Sequence, residues 1–147
     1  MQNSEERYLG PLTPEFSEAY YKLRYEVLRK PWNQPLGSER DSGDEQAIHG
    51  ILVIKKQLLA IGRLHFIDQN ISQIRYMAVH PSFSGNKFGK KVLEYLEGQS
   101  ISDNRMLVYL HARENALGFY EKCGYTQMEE SELLWGVIRH WRMEKKL

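Results

Sequence analysis

The segment VHPSFSGNKFGK, residues 79–90, decides which fold the chain is expected to adopt, because it joins a predicted strand to a predicted helix through a glycine-containing loop. Pro81 ends the strand, and the two glycines let backbone N–H groups converge where the helix begins. Lysines lie in or beside the first helical turn, where the helix dipole disfavours cations: Lys87, Lys90 and Lys91. We therefore predict a phosphate-binding loop. A solvated lysine face and glycines that serve the turn alone are the simpler alternatives.

Regular elements are predicted on both sides of this loop. Apolar, β-branched segments separated by short polar turns indicate an antiparallel meander over Ile48–Ile54, Leu58–Ile67 and Ile71–Val79. Apolar residues at helical spacing predict helices over Pro14–Arg29, Asn86–Gln99 and Glu114–Lys122. Other strands are predicted over Glu5–Leu9, Arg105–His111 and Arg139–Lys145. The stretch Pro31–Asp44 is rich in Pro, Gly, Ser and charge, and it is long enough to be a functional loop.

A second motif, LHARENALGFYEKCGY, covers residues 110–125. A predicted strand runs into a predicted helix here, and Asn115, Phe119 and Tyr120 project from neighbouring turns of that helix. An amide, an aromatic ring and a phenol can therefore face one slot, although two adjacent aromatic residues are more often part of a core. Cys123 follows the helix with no base near it in the sequence, which favours an inert packing role.

Length and composition limit the classes of function. With 147 residues, 27% of them charged, and a formal net charge of +1, the chain is predicted to be one soluble, cytoplasmic domain spanning residues 1–147. It has no apolar run long enough to span a membrane, no signal-peptide pattern and no basic footprint for nucleic acid. The single cysteine excludes an internal disulfide, and the histidines show no metal-ligand spacing. The glycine loop matches neither a Walker A motif nor a dinucleotide-binding fingerprint.

In this order, the two motifs resemble those of the GNAT superfamily of acetyl-coenzyme A (acetyl-CoA)-dependent N-acetyltransferases, and the resemblance spans nearly the whole chain. The downstream match consists of Asn115, Ala116, Phe119, Tyr120, Gly124 and Tyr125. The family's phosphate loop has Arg or Gln, two residues, Gly, one residue, then Gly or Ala; these three positions here are Ser84, Lys87 and Gly89. Ser84 and Lys87 depart from that pattern, which predicts weaker pyrophosphate binding unless the Lys87 ammonium compensates.

A narrower similarity connects the chain with a branch of small bacterial members whose acceptor is generally unknown. It rests on Arg24, the loop at residues 37–41, His49 and the ending at residues 140–143. The resemblance implies an α/β fold with a mixed, mostly antiparallel central sheet, splayed between the fourth and fifth strands and flanked by helices. It also implies acetyl-CoA as co-substrate, without a metal, bound by Met77, Ala78, Val79, Ser84, Gly85, Asn86, Lys87, Phe88, Gly89, Lys90, Asn115 and Phe119.

The chemistry implied by the resemblance is direct transfer of the acetyl group to an amine, on a small molecule or a peptide, with no covalent enzyme intermediate. Tyr120 is the expected general acid. The base is open among Glu45, His49, His111 and His140, with His49 favoured for this role. His140 and Arg24 are expected to meet the acceptor, and Arg24 has pairing with a loop acid as its alternative.

Two other classes of function stay open at this point. One is a non-catalytic acyl-CoA-binding or sensing module of the same fold, and the other is an interaction domain that has lost the cofactor. Exposed strand edges and the aromatic C-terminus make a homodimer plausible.

Overall fold

The computed structural model describes residues 6–147 and contains a seven-stranded sheet. The strands are β1 (Arg7–Pro11), β2 (Ile48–Ile54), β3 (Gln57–Phe66), β4 (Ile71–Val79), β5 (Leu107–Arg113), β6 (Thr126–Leu134) and β7 (Ile138–Lys146). The α-helices are α1 (Ser17–Leu28), α2 (Phe88–Ser102) and α3 (Leu117–Lys122). The N-terminal strand predicted over Glu5–Leu9 therefore lies slightly later in the chain, and Glu5 itself lies outside the described residues.

The sheet has the strand order β1-β2-β3-β4-β5-β7-β6. Neighbouring strands are antiparallel except β4 and β5, which are parallel and pair only where Ile71–Gln73 meets Leu107–Tyr109. Beyond these residues the two strands separate, and the edge of β4 that faces β5 is left without a strand partner. The predicted α/β fold with a mixed, mostly antiparallel sheet splayed between strands 4 and 5 is confirmed.

Helices cover both faces of the sheet. Side chains of a strand alternate between the two faces, so neighbours such as Ile51 and Leu52 enter different cores. Tyr20 and Leu23 of α1 pack on the first of these faces. On the other face lie apolar residues from the inner side of α2 together with Tyr120 of α3. Most of the apolar residues that predicted α1 and α2 by their helical spacing therefore form the buried faces of these helices.

Several predicted boundaries differ from the structure, and two of the differences have a clear local reason. Helix α2 begins at Phe88 rather than Asn86, because Lys87 has the left-handed φ of 63° and cannot continue a right-handed helix. Strand β5 begins at Leu107 rather than Arg105, because the Arg105 amide still donates to Ser100 O at the end of α2. The predicted Pro31–Asp44 loop contains 3₁₀ turns over Lys30–Trp32 and Ser42–Glu45.

Among the described residues, no helix combines the length and the apolar character needed to cross a membrane. The same residues include no group of three or more His, Cys, Asp or Glu side chains arranged to hold a metal ion.

Candidate active site

A cavity of about 380 Å³ lies where β4 and β5 separate. Its lining includes Met77 of β4, Arg113 of β5, Tyr120 of α3 and His140 of β7. The β3–β4 register shifts just before this point, and Tyr76 has a left-handed φ of 57°. The resulting bulge bends β4 beside the unpaired edge, where residues from α1, β4, β5, α3, β6 and β7 line one opening.

The predicted phosphate loop presents a row of free donors. Within residues 6–147, the backbone N–H groups from Ser84 to Lys90 donate no hydrogen bond to a protein acceptor. They precede or begin α2, whose N-terminal end carries partial positive charge. Gly85 (φ 85°) and Lys87 (φ 63°) both have positive φ, which turns the chain into the helix. The free N–H groups of these residues suit a diphosphate. Lys87 adopts the left-handed backbone conformation that glycine usually provides at such a position.

Gly89 joins the loop to the rest of the site. A Cβ at Gly89 would lie 3.1 Å from Val79 Cγ2 and 3.5 Å from Phe119 Cζ, the first of which is tighter than ordinary contact. The absence of a side chain therefore lets the start of α2 approach both β4 and α3. Gly89 of the first motif thus lies beside Phe119 of the second, and both are predicted cofactor-binding residues.

Asn115 is exposed and lines a separate pocket beside Trp32 and Arg113, outside the lining of the β4–β5 cavity. The structure therefore does not bring Asn115 together with Tyr120 in one slot, as the helical spacing had suggested. The reason is that residues 114–116 form a 3₁₀ turn, which rotates Asn115 away from the face of α3.

Tyr120 holds its proton firmly. Its side chain is 8% exposed, and its ring packs edge-on against Phe119 and Tyr125. Burial raises the pKa of Tyr120 well above its ordinary value, and nearby Arg113 offsets this only in part. Among the described residues its hydroxyl has no hydrogen-bond partner, while Tyr120 lines the cavity. The phenol is therefore a protonated donor facing the opening.

His140 has the opposite protonation behaviour. Its Nδ1 lies 3.0 Å from Ile138 O, and because a carbonyl oxygen can only accept, Nδ1 carries the proton. Nε2 is then left with a lone pair on a side chain that lines the cavity. Burial lowers the pKa of His140, while the hydrogen bond to Ile138 and the Glu132 carboxylate offset this in part and Arg113 and Arg29 lower it further. His140 is thus a neutral imidazole able to accept a proton near pH 7.

His111, the other histidine candidate in the lining, is largely exposed, and partial desolvation at the cavity wall lowers its pKa. Its ring packs edge-on against Tyr109. Glu45 is exposed and is absent from the cavity lining.

Arg24 and His49 belong instead to an ion-pair cluster formed by Arg24, Asp41, Asp44, His49 and Arg63. Arg24 is fully buried and donates to Asp44 Oδ1 at 2.9 Å. His49 Nε2 donates to Asp44 O at 2.7 Å, so Nδ1 accepts from Tyr20 Oη, also at 2.7 Å. Both ring nitrogens of His49 are occupied, and neither residue lines the cavity. Of the two roles proposed for Arg24, the structure shows the pairing with a loop acid.

Sequence reasoning missed Arg29 and Arg113. They end α1 and β5, far apart in the chain, yet both donate to Leu28 O and both line the cavity. The only signal in the sequence was that each is an arginine at the end of a predicted element, which is too common to single them out.

The family model described as the acetyltransferase (GNAT) family matches residues 12–125. The uncharacterised N-acetyltransferase YjcF of Bacillus subtilis strain 168 is 26% identical over 131 residues, which cover 89% of this chain and 92% of YjcF.

Solved structures share the fold. A crystal structure of aminoglycoside 6'-N-acetyltransferase complexed with coenzyme A has a TM-score of 0.80 at 16% identity, covering 95% of this chain and 96% of the other. A GNAT family acetyltransferase from Elizabethkingia anophelis with acetyl-CoA bound has a TM-score of 0.77 at 12% identity, covering 96% and 98%. These identities establish similarity of fold, whereas the family model covers most of the sequence itself. The chain therefore belongs to the acetyltransferase (GNAT) family, a family of acyltransferases.

Proposed function

We propose that this protein transfers the acetyl group of acetyl-CoA directly to an amine, without a covalent enzyme intermediate. The observation that carries the proposal is the pairing of a protonated phenol, Tyr120, with a neutral imidazole, His140, in one cavity beside the free edge of β4. One group can give a proton and the other can take one, as amine acetylation requires.

The donor site combines a strand edge with an anion-binding helix end. The backbone of Met77, Ala78 and Val79 follows the point where β4 loses its partner, so its polar groups are available to an extended ligand arm. The free N–H groups from Ser84 to Lys90 lie at the start of α2 and suit a diphosphate. Lys87 and Lys90 are exposed beside them and add positive charge.

The catalytic roles follow from the two protonation states. Bound acetyl-CoA supplies the thioester carbonyl that a neutral amine attacks. His140 Nε2 takes the first proton from the incoming ammonium and later releases it to solvent. The Tyr120 hydroxyl gives its proton to the departing sulfur and regains one from the nitrogen that becomes the amide. We assign the base to His140 in place of His49, because both nitrogens of His49 are already hydrogen-bonded. Burial raises the pKa of Cys123, which therefore takes no nucleophilic part.

A calorimetric titration with acetyl-CoA, followed by turnover assays on a panel of amines, tests this function. The panel covers amino sugars, polyamines, amino acids and peptide lysines, and coenzyme A release without an amine is the blank. Turnover of at least one amine supports the enzyme. Binding without turnover of any amine would instead indicate a sensing module, and absence of binding would indicate an interaction domain that has lost the cofactor.

A further inference from the structure

The cavity between β4 and β5 carries an excess of positive charge. The charged residues of its lining include three arginines but a single carboxylate: Arg29, Arg75, Arg113 and Glu132. Arg75 reaches Asp41, 3.5 Å away, while the other two guanidinium groups make no ion pair with any residue from 6 to 147. Within the proposed site, Arg29 and Arg113 thus have no carboxylate in ion-pair contact.

Arg29 and Arg113 differ from the buried arginines of the ion-pair cluster in the groups that their guanidinium groups contact. Arg24 and Arg63 are both buried, and each contacts a carboxylate within 3 Å. Arg29 and Arg113 have only backbone acceptors, including one shared oxygen, Leu28 O, at 3.0 and 3.1 Å. Because both donate to the same oxygen, the two cationic groups lie side by side and repel each other.

The surrounding groups hold the arginines in place. The Arg113 guanidinium lies 4.3 Å from the centre of the Trp32 ring, and that of Arg29 lies 5.2 Å from the Trp135 ring. Burial, and to a smaller extent the neighbouring Arg29, lower the pKa of Arg113 to about 10, so a charged Arg113 has an electrostatic cost at this position. An anion between the guanidinium groups would remove that cost, and their planar forks match carboxylate and phosphate.

We propose that Arg29 and Arg113 form an anion subsite for the acceptor, so that this enzyme acetylates amines that also carry a carboxylate or phosphate group. The inference rests on the function proposed above, because His140 and Tyr120 line the same cavity. The arginines also disfavour a second positive charge nearby, which lowers the pKa of a bound ammonium as it lowers that of His140. Polyamines and other polycations without an anionic group are poor acceptors for the same reason.

Matched acceptor pairs test the subsite by turnover. Glycine is compared with glycinamide, and phosphoethanolamine with ethanolamine, each at saturating acetyl-CoA. The anionic member of at least one pair should have the higher kcat/KM, by roughly tenfold or more, and the pair that shows it identifies carboxylate or phosphate. Equal kcat/KM within both pairs, in an enzyme that acetylates amines, would overturn the subsite while leaving the proposed function intact.

Variants locate the effect. Arg29→Gln and Arg113→Gln should each raise KM for the anionic amine roughly 10- to 100-fold, with little change for its uncharged partner. Arg113→Lys keeps the charge but not the fork and should lose less. Lys22→Gln removes an exposed charge from α1 outside the cavity and should change neither value. A preference that survives both arginine variants would contradict the assignment, once melting temperatures show that they fold.

A binding measurement tests the subsite even if none of the amines is acetylated. N-acetylglycine and N-acetylglycinamide are titrated by calorimetry into the protein saturated with coenzyme A. Tighter binding of the carboxylate, lost in Arg113→Gln, supports the anion subsite even if transfer fails. Equal binding of the two probes would contradict it.

The anion could instead belong to the acyl donor, which the same variants test. Succinyl-CoA is compared with acetyl-CoA as donor, using one uncharged amine. If succinyl-CoA is preferred, and this preference rather than one for anionic amines disappears in Arg29→Gln and Arg113→Gln, the acceptor assignment is wrong.

Discussion

Tyr120 and His140 illustrate how position alone sets the chemistry of a side chain. Both are buried at the same cavity, and burial favours the uncharged form of each. The uncharged form of a phenol is an acid, whereas the uncharged form of an imidazole is a base. One environment therefore prepares two residues for opposite steps, which gives two predictions at the residue scale.

Tyr120→Phe keeps the ring but removes the proton that the side chain can donate. We expect kcat to fall roughly 10²- to 10⁴-fold while acetyl-CoA binding changes little. The measurement is a single-turnover rate with enzyme-bound acetyl-CoA, because slow product release could hide a defect in steady state. Tyr125→Phe is the matched control, since the Tyr125 hydroxyl donates to Glu97 and does not line the cavity. A wild-type rate for Tyr120→Phe would refute the acid role.

His140→Gln removes the proposed base. Wild-type kcat should rise with pH through a pKa below the ordinary 6.5 and then level off, because burial lowers the pKa of His140. The variant should lose roughly 10²- to 10⁴-fold near pH 7, and its residual rate should keep rising with pH as more free amine forms. The check is a full pH–rate profile, with His111→Gln as the control. A larger loss in His111→Gln than in His140→Gln would move the base to His111.

At the scale of elements, the proposed phosphate-binding loop and the N-terminal end of α2 act together as one candidate anion site. The left-handed Lys87 ends the loop, and the free N–H groups then point away from the helix at its positive end. Lysines in this position destabilise the free helix slightly, which is compatible with a role toward a bound anion.

Replacing both Lys87 and Lys90 by Gln should weaken coenzyme A binding and flatten its salt dependence, because the lost interactions are screened Coulomb attractions. The melting temperature of the free protein should stay equal or rise slightly, since two cations leave a helix N-terminus. Calorimetric titrations at several salt concentrations measure the effect. Lys91→Gln, on the solvated side of the turn, serves for comparison. An unchanged affinity and salt slope would place both lysines on a solvated face.

At the scale of the whole molecule, the ion-pair cluster ties the loop before β2 to α1 and β3. Asp44 contacts both Arg24 and Arg63, whose side chains are almost fully buried. Because breaking such a pair leaves charges buried without a partner, the cluster is expected to determine the acid stability of the protein.

Asp44→Asn should lower the free energy of unfolding by about 3 kcal/mol at neutral pH, since Arg24 loses its carboxylate. Glu130→Gln, which breaks an exposed pair with Arg139, should cost less than about 1 kcal/mol. Urea unfolding of both variants and the wild type measures the difference. Similar losses for the two variants would contradict a structural role for the cluster.

The wild-type pH dependence follows from the same groups. Folding lowers the pKa values of His49, His140, Asp41 and Asp44, so each stabilises the protein fully above its unfolded pKa and less as pH falls. The urea midpoint should therefore decline below pH 6.5 as the histidines protonate, and again below pH 4 toward the Asp41 pKa of about 2. A midpoint that is flat from pH 7 to pH 3 would contradict this.

The homodimer stays a prediction, with the exposed edge strand β6 as the natural surface to examine.

The sequence by itself determined most of the elements, although not strand β6, together with the two motifs and the family. Apolar periodicity, turn residues and motif spacing are patterns among residues that are close in the chain. Such patterns can be read from the sequence because they favour the same helix, strand or turn with little help from distant residues. The β2–β3–β4 meander and the strand–loop–helix arrangement around residues 79–90 were predictable for this reason. The roles proposed for this loop and for Tyr120 stay predictions.

Only the tertiary structure decided which titratable groups share the cavity. Nothing in the sequence distinguishes His49 from His140 as a base. In the structure, both ring nitrogens of His49 are hydrogen-bonded, to Tyr20 and Asp44, whereas His140 lines the cavity and has one nitrogen without a hydrogen bond. Arg29 and Arg113 meet at one carbonyl because the end of α1 packs beside the end of β5. Protonation state and specificity depend on burial and on charges that arrive from distant parts of the chain, and these are properties of the folded arrangement.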